Sequence, residues 1–502
     1  MRGLLRIAFR NLFEHRAKSI IIGILLSLGV VILVLGSAVH NGMANGIERS
    51  FTKNYTADII ITGIAEGPVS LFGVASAGGL AKTPTLPEYE KILTYASSMK
   101  HVAAVTGMAS TFGIAQKEEQ TANAENQEQT DDTMEGNPFQ IFYLFGVDTL
   151  QYRNVFPDFS LREGNFFEPG MRGIILNAKQ KEGLEKYLKK SLAIGNELVI
   201  QGASSGGVKI VRIPIIGIYE IKAEGYTPDQ LAYCDIDTVR ILDNMTIGAN
   251  IEVQLSSEQK AIFETTNYDD LFSDSNTFIT TNSNTGSVDY ENILGDTSLR
   301  EELNKVDTGA WHFILIRTDK PDVAPAVIKE LNTFFKDNNI AAQAGDWKAA
   351  AGEFAQSVDI FGTVLFVGII ILAFVVVVII MNTLVVSVIE RTTEIGTIRA
   401  LGASRSFVRR LFFTETLLLS LIFGSIGIVL SYIVNTIIRS LNIKAGNRIL
   451  ELLFGGPVLS PIITGGTVAT ALIIIVLVGI VAHFYPVSVA LRIEPIRAIQ
   501  TD

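Results

Sequence analysis

Long apolar runs and mixed polar stretches alternate along this chain in a way that predicts its architecture. Four stretches lack Asp, Glu, Lys and Arg: 20–39, 360–389, 416–438, and a window at 462–484 inside the uncharged span between Glu451 and Arg492. Each reaches the roughly twenty residues that a helix needs to cross a bilayer. The first run is too long for the apolar core of a signal peptide and lacks a small-x-small cleavage site before a clean domain start, so a retained helix is predicted. The long stretch between the first two runs has a different texture. Residues 58–62, 141–147, 173–176, 197–201, 208–218 and 312–317 read as strands. Residues 87–98, 179–190 and 323–338 read as helices, the last with Val327, Leu331, Phe334 and Phe335 on one side. The pattern predicts a four-helix transmembrane protein with a large α/β domain between helices 1 and 2.

Charge sets an orientation. Residues 1–18 carry five Lys/Arg and one acid, and residues 390–415 carry five and three. Residues 48–359 carry 26 basic and 44 acidic groups. Basic flanks stay in the cytoplasm, so both termini and 390–415 are predicted inside and the large domain outside. The loop 439–461, with three basic residues and one acid, fits this rule poorly. Parity of four crossings places it outside. The predicted division is a cytoplasmic amphipathic helix 1–19, transmembrane helix 20–40, an extracytoplasmic α/β domain with stalk helices 41–359, and transmembrane helix 360–389. A cytoplasmic coupling helix 390–410, transmembrane helix 411–438, short external loop 439–461, transmembrane helix 462–485 and cytoplasmic tail 486–502 complete it.

Helical spacing extends beyond the apolar runs. Trp347, Ala351, Phe354, Val358 and Phe361 step by four and three residues, the seam of a coiled coil. An unbroken helix over 346–390 would be about 66 Å long at about 1.5 Å per residue, so a stalk is predicted outside helix 2. Met43, Ile47 and Phe51 keep helical spacing outside helix 1 and predict a second stalk that pairs with it. At the other end, Arg2, Arg6 and Arg10 share one helical face. That helix either lies on the anionic inner leaflet or is a plain charged anchor. Within the spans, Gly23 with Ser27, Ser420 with Gly424 and Gly427 with Ser431 offer small faces for close helix packing. Residues 117–138 and 264–308 are polar, with few large apolar groups, and read as loops.

Composition narrows the chemistry. Apolar residues make up 48% and charged residues 18%, below the roughly 25% charged of a soluble domain. One cysteine, Cys234, excludes an intrachain disulfide and a cysteine-rich zinc site. A net charge of -10 disfavours nucleic acid. The absence of any Gly-Lys dipeptide excludes a Walker A loop, no His-Glu-x-x-His pair occurs, and the five histidines are scattered. No charged residue falls near the middle of a span, which disfavours an ion path. No catalytic residue, metal ligand or bound cofactor is predicted for this chain.

The informative segment is 390–404. Ile395, Ile398 and Leu401 form a narrow apolar stripe, and Glu390, Glu394 and Arg399 are polar handles. Gly402 suits a left-handed helix stop, and Ser404 suits the cap of the next helix. A short amphipathic helix at a membrane exit fits a groove on a cytoplasmic partner.

This segment reads E-R-x-x-E-I-G-x-x-R-A-L-G-A, carried by Glu390, Arg391, Glu394, Ile395, Gly396, Arg399, Ala400, Leu401, Gly402 and Ala403. It resembles the signature of the FtsX/MacB-type permeases of ABC transporters, which include the LolC/LolE lipoprotein-releasing subunits. Pro486, Ala490, Pro495, Ala498 and Ile499 match that family's ending, P-x-x-x-A-x-x-x-x-P-x-x-A-[LI]. The resemblance implies a four-helix transmembrane permease with a large extracytoplasmic α/β domain, in a bacterial inner membrane. It further implies a second permease subunit, identical or paralogous, and a separate ABC ATPase that holds the ATP and magnesium. ATP-driven closure would push the 390–404 helix, and the second helix would carry the motion outward, a mechanism called mechanotransmission. The favoured work is release of lipoproteins to a periplasmic carrier. The alternatives are efflux of macrolides, peptides or lipids, and regulation of external cell-wall hydrolases as in the cell-division members. Membrane lipids are contacts in every case. Residues 117–138 and 264–308 exceed what the lipoprotein-releasing members imply.

Overall fold

The structure is a computed structural model that describes residues 6–10, 16–74, 82–117, 140–204, 207–220, 228–247, 302 and 305–492. The chain forms two compact units. One comprises Met1–Ala57, Ile221–Pro228 and Asp346–Asp502; the other comprises Asp58–Glu220 and Asp229–Gly345.

In chain order, helix α1 (Arg16–Phe51) ends in a π-turn over Thr52–Thr56. Strands β1 (Ile59–Gly63), β2 (Val69–Ser70) and β3 (Gly73–Val74) lead to α2 (Tyr89–Ser98) and β4 (Val102–Ala115). Next come β5 (Ile141–Val147), α3 (Tyr152–Val155), β6 (Leu161–Gly164), β7 (Ile174–Asn177) and α4 (Ala178–Leu188). They are followed by β8 (Glu197–Ser204), β9 (Gly207–Tyr219), β10 (Leu231–Asp235) and α5 (Ile236–Leu242). Strand β11 (Phe313–Thr318), α6 (Ala324–Asp337) and β12 (Ala342–Asp346) close the α/β part. The remaining helices are α7 (Trp347–Ala351), α8 (Glu353–Glu390), α9 (Thr392–Ala400), α10 (Arg405–Ser440), α11 (Arg448–Phe454) and α12 (Gly465–Arg492).

The α/β unit is organised by β4. Its first half, Val102 to Met108, pairs antiparallel with β11, and its second half pairs with β5 on one edge and β8 on the other. From there the ladder runs β5–β10–β7–β9–β8 and returns to β4, so six strands close on themselves. Closure removes free edges. Phe142, Leu144, Ile174, Ile200, Ile213 and Cys234 fill this core, with Val239 and Leu242 of α5 packed among them. The other half is the layer β12-β1-β11-β4. Here Ile59, Ile61, Ile314 and Ile316 meet Ile92 of α2 and Val327, Leu331 and Phe335 of α6. Helix α6 forms as its pattern predicts, because the last three residues recur every four positions and make one buried stripe. Its neighbour Phe334 is half-buried and stacks on Tyr95 of α2.

In the other unit, α1, α8, α10 and α12 are long and apolar enough to cross a membrane. Close packing uses small residues. Ser27 donates its hydroxyl to the Phe423 carbonyl at 2.8 Å. Gly427 lies against Val30 and the Ser27 carbonyl, Gly23 against the Phe423 ring, Gly424 against Ile475, and Gly479 against Ser420. Ser431 turns inward and donates to the Gly427 carbonyl of its own helix. Near the far end of α1, the backbones of Gly46 and Gly455 touch, and Asn41 Nδ2 donates to Thr467 Oγ1 at 2.9 Å.

Several boundaries differ from those predicted. The unbroken rod over 346–390 is corrected: the chain stops being helical at Gly352, with φ 55° and ψ -120°. Only glycine enters that region readily. Helix α7 is separate, and Lys348 and Asp359 bridge the break at 2.9 Å. The continuous rod is α8, 38 residues, about 57 Å at about 1.5 Å per residue. The predicted segment 390–410 contains α9, a turn and the start of α10. Helix α12 starts at Gly465 and runs through Pro486 to Arg492, beyond the predicted end of the span. The predicted N-terminal helix 1–19 is described only at 6–10, which is helical, and from Arg16. Arg2 lies outside the described residues, as do 118–138 and nearly all of 264–308.

Candidate functional site

The 390–404 segment forms an elbow that joins α8 to α10. Arg391 is the corner. It lies between the two helices with φ -98° and ψ 19°, and its N–H donates to the Ser387 carbonyl at 3.2 Å. Its own carbonyl accepts the Ile395 N–H at 3.0 Å, which starts α9. The far end is a full Schellman stop: Gly402, at φ 97°, donates its N–H to the Arg399 carbonyl, and Ala403 donates to that of Ile398. Ser404 then caps α10 by accepting the Phe407 N–H on its side chain at 3.3 Å. These turn residues do what their types predict.

The apolar stripe does not. Ile395, Ile398 and Leu401 were predicted to present one face to a partner, and they are split. Ile395 is 5% exposed and belongs to a cluster with Val388 of α8, Val408 and Phe412 of α10 and Val487 of α12. Ile398 is half-buried, whereas Leu401 is 84% exposed. A helix pinned between two turns cannot point all three outward, because Ile395 lies directly beside the corner and fills the gap left by α10 and α12. Gly396 is buried, Glu390 and Ala400 are exposed, and Arg399 and Ala403 are half-buried. Arg391 is buried too and turns into the protein. Its Nη1 donates to both carboxylate oxygens of Glu415, at 3.1 and 3.3 Å, and its guanidinium lies 5.9 Å from the Phe412 ring. In the sequence Glu415 is one of the charges that orient the chain, and nothing local to it signals a partner 24 positions away.

The predicted stalk residues come together on α1, α7 and α8. Met43, Ile47 and Phe51 are buried along one face of α1. Phe51 meets Phe354 with ring centroids 5.3 Å apart. Ala351 and Val358 are buried, and Trp347 and Phe361 are half-buried. The Gly352 break divides the predicted seam between α7 and α8. In the tail motif, Pro486 sits within α12 and Ala490 on its last turns, while Pro495, Ala498 and Ile499 lie outside the described residues.

Two protein families match the chain: the MacB-like periplasmic core domain over residues 19–264 and the FtsX-like permease C-terminal over residues 366–495. Among curated relatives, the probable syringafactin export ATP-binding/permease protein SyfD of Pseudomonas syringae pv. syringae is 37% identical over 123 residues, which is 24% of this chain and 17% of that protein. The macrolide export ATP-binding/permease protein MacB 2 of Yersinia pestis is 32% identical over 123 residues, 24% of this chain and 16% of that protein. The match thus spans less than a fifth of the length of these relatives. Among solved structures, the periplasmic region of MacB from Actinobacillus actinomycetemcomitans aligns at 11% identity with a TM-score of 0.28, covering 60% of this chain and 91% of that one. The extracellular domain of the transporter YknZ aligns at 13% identity with a TM-score of 0.27, covering 58% and 99%. With the elbow signature, the matched C-terminal helices and the matched region that runs from the first helix into the α/β unit, the chain belongs to the FtsX/MacB-type permease family.

Proposed function

We propose that this chain is the membrane subunit of an ABC transporter, acting on an amphiphile at the outer face of a bacterial inner membrane. A separate ATPase, which binds the ATP and magnesium, seats against the elbow from the cytoplasm. Two permease chains pair above two ATPase chains. Motion enters at α9, passes along the membrane helices, and reaches the α/β unit outside. The observation that carries this reading is the elbow: an exposed Leu401 on a short helix whose other side is fastened to three membrane helices. The absence of charge in the middle of the spans supports work outside the bilayer over passage through it. The relatives' names speak for export of a small amphiphile, as in macrolide or syringafactin export. Lipoprotein release is the same class of work on a larger amphiphile, and the signature resemblance supports it.

The test is affinity purification of the full chain from its own host. Wild-type eluate is expected to hydrolyse ATP, and Leu401→Asp is expected to lose that activity while remaining in the membrane. An inactive wild-type eluate, or an active Leu401→Asp eluate, overturns the reading. Reconstitution into vesicles with a labelled macrolide or a lipoprotein then separates the two cargoes.

A further inference from the structure

A buried ion pair fixes the elbow to a helix it does not belong to in sequence. Arg391 stands at the corner between α8 and α9, and Glu415 lies about three turns into α10 at about 3.6 residues per turn. Both side chains are buried, and both carboxylate oxygens accept from the same guanidinium nitrogen. A charge at that depth is costly unless it is paired, and each of these groups partners the other. An apolar pair of equal volume would pack as well, but it could slide. A charge-assisted contact to two oxygens sets one register. Around it, Val388, Ile395, Val408, Phe412 and Val487 seal the same junction. Three helix ends and the elbow are thereby joined at one point.

We propose that Arg391 and Glu415 are a positioning pair that makes the elbow move as one body with α10 and α12, so that a load on α9 turns a block of three helices rather than pushing α8 alone. This deepens the reading of the elbow as the ATPase seat and rests on it for its function, though not for its geometry. In the pair's absence the elbow keeps Leu401 exposed and still binds, but its displacement is no longer passed on.

The geometry is tested first, with no partner present. Spin labels go on Leu401→Cys and Val481→Cys of the full chain in lipid nanodiscs; Cys234 is the only native cysteine and is buried. The wild-type background is expected to give one narrow distance distribution. Arg391→Met with Glu415→Leu, which keeps the packing, is expected to broaden it at least twofold. The swap Arg391→Glu with Glu415→Arg is expected to narrow it again. A narrow distribution in the apolar double variant overturns the proposal, whatever the ATPase does. The second readout is the purified complex: the apolar variant is expected to retain ATP turnover within twofold and lose at least tenfold in ATP-dependent transport, with the swap restoring transport to wild-type range. Full transport in the apolar variant also overturns the proposal. Loss of ATPase binding by the wild type alone overturns the function reading and leaves the distance result to decide the pair.

Discussion

The imidazole of His312 accepts the backbone N–H of Ser110 on its Nδ1 at 3.2 Å. Ser110 lies on β4 past the last residue paired with β11, Met108, and before the first paired with β8, Gly113. A side chain therefore serves where the ladder on that edge is interrupted. Because Nδ1 accepts, the proton sits on Nε2, which faces Asp243 at 3.3 Å. Asp243 in turn accepts the Thr111 hydroxyl at 3.1 Å. Replacing His312 with Phe leaves a buried N–H without a partner and is expected to cost about 1–3 kcal/mol. His312→Asn, whose side-chain oxygen falls near the lost Nδ1, is expected to recover part of that. The adjacent Trp311, stacked on Tyr89 with centroids 5.2 Å apart, reports the transition by fluorescence. Unchanged melting of His312→Phe would show that the contact contributes nothing.

Two isoleucine-like positions on the elbow should behave oppositely. Ile395→Asp places a charge in the cluster with Val388 and Phe412 and is expected to cost about 3 kcal/mol or more. Leu401→Asp, on an exposed residue, is expected to stay within about 0.5 kcal/mol. Thermal aggregation of the detergent-solubilised chain compares them. Equal losses would contradict the split stripe.

Glycine positions give a matched pair. A side chain at Gly427 would meet Val30 and the Ser27 carbonyl, whereas one at Gly368 meets nothing within 4 Å. Gly427→Leu is expected to force α1 from α10 and cost about 1–3 kcal/mol, and Gly368→Leu to be neutral. Cysteine cross-linking between α1 and α10 measures the separation directly, and equal yields in the two variants would refute the close approach.

Cys234 lies in the closed six-strand core, and burial pushes its thiol well above the ordinary range, with Asp235 adding to the effect. The thiolate is the reactive form, so native protein is expected to resist maleimide even at mildly alkaline pH and to take up one equivalent on unfolding. The linkage has a definite sign. Below the ordinary thiol pKa of about 8.5 neither state ionises. Above it only the unfolded chain does, so stability falls as pH rises. Cys234→Ala should remove that part of the slope in alkaline melts.

Legibility followed the strength of local patterns. The four apolar helices, α6 with its stripe at Val327, Leu331 and Phe335, and the turn chemistry of Gly402 and Ser404 are visible because each is set by residues within one or two turns. Strand β4 is invisible by the same measure. It reads V-A-A-V-T-G-M-A-S-T-F-G-I-A, rich in small residues, because both of its edges and faces are crowded. A side chain at Gly107 would strike Tyr89 and Trp311, and one at Gly113 would meet Leu144 and Ile200. Gly352 was hidden for the opposite reason: the three alanines before it and Glu353 after it are good helix formers, and only its positive φ reveals the break. Ile395 looked like a partner contact because the sequence cannot show that α12 returns to cover it. Arg391 and Glu415 were counted as charges, and their pairing depends on two helices lying side by side.

Strand β4 has a mechanical consequence. One fourteen-residue ribbon is a stave of the closed ring and, at its other end, a rib of the helix-backed layer. The two halves are thus spliced rather than hinged. Excision of either as a free-standing graft is expected to fail, and heat or tension that frees the ribbon from one is expected to collapse both in a single step.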